Sequence, residues 1–140
     1  MTEPFRRVAS NDPALLALLR HAGLLTADLD EGAAEYFAMG SVAFGGIVCF
    51  DADALLRSVV VAESARRGGK GRVVVNHLLS RARVHGMRDV WLLTETAEPF
   101  FAALGFEPRS RDTAPTAIQA TSQFSKLCPS NSTLMHRSLS

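Results

Sequence analysis

Cysteine is scarce in this chain of 140 residues: Cys49 and Cys128 are the only two, too few for a disulfide scaffold. The four histidines are scattered, and no close Cys/His set carries the spacing of a metal site, so none is expected. A surplus of one charge is also missing. Fifteen basic against fourteen acidic residues leave a formal net charge of +1, which argues against general nucleic-acid binding. No apolar run reaches bilayer length, and no apolar signal core follows Met1–Arg7. The expectation is a cytoplasmic protein without membrane contact. Tyrosine occurs once, as Tyr36. What is present is 47% hydrophobic and 21% charged residues, the balance of a folded domain rather than a disordered chain. The length fits a single domain, 1–140, with a sizeable core.

Periodicity divides the chain into alternating strands and helices. Phe5–Ala9 reads as a short strand. Asn11 or Asp12 caps a helix with Pro13 in its first turn, an apolar face from Leu15 to Ala22, and Gly23 as its stop. Asp28–Gly32 reads as a helical turn or a loop over the site. Tyr36–Met39 and Val42–Phe50 read as adjacent strands, with Gly45 and Gly46 marking a twist, a bulge or a close approach. Ala54–Val61 follows as a central strand whose last residues are apolar without alternation, as both-face burial requires.

From Gly71 to His85, Val74, Val75, Leu78, Leu79 and Ala82 recur at helical spacing, while Arg72, Asn76, Arg81 and Arg83 are expected to face water. Gly86 is a left-handed stop, and Asp89–Thr94 is a second buried strand parallel to the first. Thr96 is expected to cap a helix carrying Phe100, Phe101 and Leu104 up to Gly105, with a strand beginning in Phe106–Arg109. Ala117, Ile118, Thr121, Phe124 and Leu127 fit one amphipathic helix between Pro115 and Pro129, and Asn131–Arg137 fits a final strand.

The turn Ala65-Arg66-Arg67-Gly68-Gly69-Lys70-Gly71 joins the apolar strand to the helix. Glycines let the backbone bend sharply and present its N–H groups, and the helix start adds unpaired donors. Two arginines and a lysine in the turn, Arg66, Arg67 and Lys70, suit a diphosphate better than a neutral group. The competing reading is a solvated basic loop; the order strand, basic glycine turn, helix favours a cofactor-phosphate site.

Taken together, VVVAESARRGGKG, WLLTETAEPFFAALGFEPRSR and QFSKLCP carry a resemblance. The chain resembles the GCN5-related N-acetyltransferase (GNAT) superfamily, and within it the small arsenic-resistance N-acetyltransferase-like branch. Arg66, Gly69 and Gly71 fall on the superfamily's Arg/Gln-x-x-Gly-x-Gly/Ala motif. The resemblance implies an α/β acyl-CoA N-acyltransferase fold, a mixed central sheet with a splayed parallel pair and flanking helices. It implies acetyl-CoA as cosubstrate, the Val59–Val61 edge pairing with its pantetheine arm, and the Arg67–Arg72 backbone cradling its pyrophosphate. Direct transfer to an amine through a tetrahedral intermediate follows. Homodimers occur among relatives.

Transfer needs a neutral amine, a polarised thioester carbonyl and an exit for the thiolate. Backbone N–H groups around Val60 and Val61 are placed to steady the oxyanion. Glu63 and Glu95 are the carboxylates near the strand ends and the candidate bases, with exposed loop acids as the competing reading. Many superfamily members carry a tyrosine four residues before the Gly-Phe pair as thiolate acid; here that residue is Phe101. Tyr36, Ser64, Thr94 and solvent are the remaining donors. Arg57, inside an apolar strand, reads as a binder of an acidic acceptor group, as half of a structural ion pair or as an edge-exposed residue. Arg109 and Arg111 are alternative anion readers.

The acceptor implied is a small acidic amino acid or an amino-acid-like toxicant; relatives in the arsenic-resistance branch accept arsinate or phosphinate analogues. Phe101 keeps open an acyl-CoA-binding sensor or interaction domain without turnover. Cys128 and Cys49 read as small buried hydrophobes, and the four histidines as ordinary polar residues without acid partners.

Overall fold

A computed structural model describes residues 5–24, 26, 29, 34–62, 68–126 and 132–139. Three antiparallel ladders open the chain. Strand β1 (Arg6–Val8) pairs with β2 (Glu35–Met39), β2 with β3 (Ala43–Phe50), and β3 with β4 (Asp53–Val61). Helix α1 (Pro13–His21) lies between β1 and β2 in sequence; Asp12 Oδ2 accepts the Leu15 N–H at 3.1 Å and Gly23 takes a left-handed φ of 72° just past its end. Helix α2 (Lys70–Val84) then carries the chain to β5 (Asp89–Thr94), parallel to β4. After α3 (Glu98–Ala102) come the edge strand β6 (Glu107–Arg109), a 3-10 turn at Arg111–Thr113, the short helices α4 (Thr116–Gln119) and α5 (Ser122–Lys126), and β7 (Thr133–Ser138). Strand β7 inserts between β5 and β6, giving the order β1-β2-β3-β4-β5-β7-β6.

Strand alternation sorts the core onto two faces. Leu56 and Met135 join Val74, Val75, Leu78 and Leu79 under α2. Their neighbours Leu55 and Leu134 point the other way, into a cluster with Trp91 and Ile118 of α4. Leu15 and Leu19 of α1 cover the remaining part through Tyr36, Phe44 and Val60. A Cβ on Gly45 would stand 2.7 Å from Val74 Cγ1 and 2.8 Å from Leu78 Cδ1, so a bare backbone lets α2 lie directly on β3.

Three sequence expectations change. The helix after β5 is not capped by Thr96; Thr94 Oγ1 accepts the Ala97 N–H at 3.0 Å instead. The single helix expected from Pro115 breaks into α4 and α5. Thr121 Oγ1 donates to Ile118 O at 2.6 Å and accepts from Phe124 N at 3.3 Å, offering the backbone a local partner that ends one helix and starts the next. Two histidines do find acids: His136 Nε2 lies 2.7 Å from Asp89 Oδ1, and His85 Nε2 lies 2.9 Å from Glu35 Oε1. The Asp28–Gly32 segment lies outside the described residues except for the buried Leu29, and Cys128 and Pro129 also lie outside them.

Glu35 gathers three basic side chains, from β1 and from the last turns of α2: Arg7 at 3.2 Å, Arg81 at 3.4 Å and His85. Arg81 is therefore half-buried rather than solvated, its guanidinium 5.6 Å from the Phe37 ring centroid. Burial pushes the Glu35 carboxyl up, but the His85 hydrogen bond and the charges of Arg81, His85 and Arg7 outweigh it and hold it below its ordinary value. The sign follows: a depressed folded-state value contributes stability above about pH 4.5 that is lost as pH falls through the folded value. In Glu35→Gln the melting temperature is expected to vary less across that acidic window than in the wild type. Parallel acid limbs in the two proteins would remove the network from this role.

Candidate active site

The parallel strands part company early. Their register runs Asp53 with Asp89, Ala54 with Val90 and Leu55 with Trp91, and stops there. Beyond Leu55 the edge of β4 faces a cavity of about 860 Å³ rather than β5. Leu56–Val61 form one wall and Leu92–Ala97 the other. Lining residues come from both faces of the sheet: Phe101 and Leu56 from the α2 side, Val60 from the α1 side. The cavity is thus a slot through the sheet, produced by the divergence of two strands.

A bulge shapes the β4 wall. Phe44 pairs with Val60 and Gly46 with Arg57, so Ser58 and Val59 together oppose the single Gly45. Ser58 has a left-handed φ of 56°, a conformation a residue with a Cβ adopts only at an energetic cost. After the bend, the Ala62 N–H donates to Val42 O, so strand alternation turns the Val60 N–H to Phe44 of β3 and not to the slot. Of the two expected donors, only Val61 has its N–H on the slot edge, where it can polarise a carbonyl.

On the α2 face, Gly69 caps the helix in a left-handed conformation of φ 76°, with open space where a Cβ would sit. Gly71 lies against the slot: its Cβ would approach Phe100 Cζ to 3.0 Å and Val61 Cγ2 to 3.7 Å. Gly69, Lys70, Gly71 and Arg72 line the cavity mouth at the start of a 15-residue helix. Helix-terminal N–H groups, unobstructed backbone at Gly69 and a basic rim fit a diphosphate. Gly68 is exposed beside them; Glu63, Ser64, Arg66 and Arg67 lie outside the described residues.

On the opposite face, Arg57 lines the slot at 5% exposure. Its Nε donates to Ser58 Oγ at 3.3 Å and its guanidinium lies 5.9 Å from the Tyr36 ring centroid. Tyr36 itself donates to Leu29 O at 2.8 Å and is 2% exposed, which ties up the one tyrosine away from the slot. Glu95 is exposed on the β5 wall, with Thr94 beside it, and Phe101 is buried in the slot with no proton to give.

The other two arginines go elsewhere. Arg109 sits on the exposed edge strand, 3.1 Å from Glu107, and Arg111 donates to Phe124 O at 2.6 Å and to Ser132 Oγ at 3.1 Å. Neither lines the slot. Sequence reasoning missed two residues that do, Gln123 and Lys126 of α5, together with Ala22, Gly23 and Leu24 at the end of α1. The QFSKLCP segment was the available signal, since it carries both side chains.

Comparison with known proteins accords with this geometry. No curated protein sequence matches the chain. Among solved structures, N-acetylglutamate synthase from Neisseria gonorrhoeae, complexed with coenzyme A and N-acetyl-glutamate, superposes with a TM-score of 0.76 at 20% identity, covering 98% of this chain and 35% of that one. The chain therefore spans about a third of that synthase's length. Rv2747 from Mycobacterium tuberculosis, in complex with CoA and NLQ, gives 0.75 at 21% identity, covering 98% and 99%. An acetyltransferase of the GNAT family from Staphylococcus aureus gives 0.75 at 14%, again covering 98% and 99%. These likenesses establish the fold. The model of the acetyltransferase (GNAT) domain matches residues 20–108, which hold the diverging strands, the glycine turn and α2, so the chain belongs to the GNAT acetyltransferase family, whose members use acetyl-CoA as cosubstrate.

Proposed function

We propose that the protein acetylates the amine of a small acidic, amino-acid-like acceptor, a class that includes arsinate and phosphinate analogues of amino acids. The observation that carries this reading is Arg57, a buried guanidinium opening onto the slot on the face away from the phosphate turn. Its planar guanidinium borders the space where an acceptor lies and can hold an acidic group through two parallel hydrogen bonds. The Neisseria synthase is named for an acetylated acidic amino acid, which favours the same acceptor class.

Each residue then has a task. The 66–72 turn holds the diphosphate, and the Val59–Val61 edge positions the pantetheine arm. The backbone N–H of Val61, on the slot edge of β4, polarises the thioester carbonyl. Glu95 or Glu63 takes the amine proton, directly or through water. Phe101 supplies no acid, so the departing thiolate takes its proton from solvent or a hydroxyl such as Thr94.

The test is free-thiol release from acetyl-CoA with glutamate, aspartate, phosphinothricin and arsinothricin, against a diamine control. Turnover confined to the acidic amines is expected. Tight acetyl-CoA binding without turnover of any amine would instead identify an acyl-CoA sensor. In Glu95→Gln, kcat is expected to fall by roughly 100-fold or more with the acetyl-CoA KM unchanged. An unaltered kcat takes Glu95 out of the reaction.

A further inference from the structure

The acidic-acceptor reading uses one cation on the acceptor side of the slot, yet the slot has two there. Lys126 ends α5 and Gln123 lies one turn earlier on the same helix; both line the cavity. Helix α5 belongs to the face away from α2, since its Phe124 packs on the cluster of Leu55, Trp91, Ile118 and Leu134. Arg57 shares that face, two residues along β4 from Leu55. Lys70 and Arg72, at the start of α2, belong to the opposite side. Among the described residues lining the slot, Glu95 is the only carboxylate.

Resting on the acidic-acceptor reading, we propose that Lys126 and Gln123 form a second anion-reading pole beside Arg57, so that the preferred acceptor is an amine bearing two acidic groups, a dicarboxylate or a carboxylate with a phosphinate or arsinate. Arg57 is buried and planar and grips one group through two hydrogen bonds. Lys126 is exposed at the mouth and reads the second as a point charge, with the Gln123 amide supplying a neutral hydrogen bond.

Arg111 acts through this pole as a positioning residue. Its guanidinium stacks 4.3 Å from the Phe124 ring centroid while donating to Phe124 O and Ser132 Oγ. One side chain thus fastens α5 to the residue preceding β7. Without it, a five-residue helix would have little to fix the direction of Lys126.

The experiment compares L-glutamate with L-glutamine, which differ only in the second acidic group, by calorimetric titration into CoA-loaded protein and by thiol release from acetyl-CoA. In Lys126→Met, glutamate affinity and kcat/KM are expected to fall roughly tenfold, glutamine to stay within about twofold, and Lys126→Arg to retain most of the preference. Lys126→Glu should reverse the preference. Arg111→Met should raise the glutamate KM selectively, with Arg111→Lys restoring part of it, whereas a purely structural loss would affect both acceptors alike. An unchanged glutamate-to-glutamine ratio in Lys126→Met, with acetylation of acidic amines intact, overturns the second pole and leaves the Arg57 reading standing. A raised acetyl-CoA KM in that variant overturns it too, by assigning Lys126 to the cofactor's phosphates. Failure of glutamate, glutamine and phosphinothricin all to bind or react overturns both readings.

Discussion

An Arg57→Ala protein is expected to keep its cofactor and lose its acidic acceptor. The guanidinium is 5% exposed, borders the slot and has Tyr36 and Ser58 as neighbours. Truncation leaves the acceptor's anionic group in a partly desolvated cleft without its cation, a loss of about 2 kcal/mol or more. The KM for an acidic amine should therefore rise roughly 30-fold or more, with acetyl-CoA affinity unchanged. Arg57→Lys keeps the charge but not the planar fork, and should fall between. Matched titrations of acetyl-CoA and of an acidic and a neutral amine decide the matter. Equal losses for both amines in a folded variant would assign Arg57 to the scaffold.

The second large effect concerns folding. A Cβ on Gly46 would lie 2.6 Å from Tyr36 Cε1, 2.7 Å from Tyr36 Cδ1 and 3.3 Å from the Arg57 carbonyl oxygen. The ring has little room to yield: Tyr36 is 2% exposed and its hydroxyl is bound to Leu29 O. Gly46→Ala should cost about 1–3 kcal/mol of overpacking, lowering the melting temperature by roughly 5–10 °C for a domain of this size. Gly46 pairs with Arg57 in the ladder, so acidic-amine turnover should suffer as well. In a Tyr36→Ala background the same substitution should be nearly neutral; a penalty undiminished there would show that the clash is not with the ring.

Helix α2 was legible in the sequence except for Arg81, which Glu35 draws out of the solvent. Val74, Val75, Leu78, Leu79 and Ala82 are all buried as their spacing requires, and Gly69 and Gly86 bracket the helix with left-handed φ values of 76° and 77°. The bulge was half legible: glycines at 45 and 46 marked it, but the residue in the strained conformation is Ser58 on the neighbouring strand. Strand pairing was less readable, because a period of two names a strand's faces and not its neighbours. Nothing in Thr133–Ser138 says that it lies between β5 and β6.

The arginines show the same limit within the candidate site. Arg57, Arg109 and Arg111 are chemically identical in a sequence. What separates them is a buried slot wall, an exposed edge and an aromatic ring with two acceptors. Lys126 escaped notice because helical spacing projected from Ile118 ends where Thr121 breaks the helix.

The insertion of β7 orders events during synthesis. Strand β5 shares three register pairs with β4 but six with β7, from Asp89–Ser138 to Thr94–Thr133. One bank of the slot thus leans mainly on residues 133–138, which are made after the rest of the slot. A nascent chain paused after Arg109 already carries the glycine turn, α2 and Arg57 yet lacks the ladder that steadies the far bank, so that bank should become ordered only once residues 133–138 have joined the sheet.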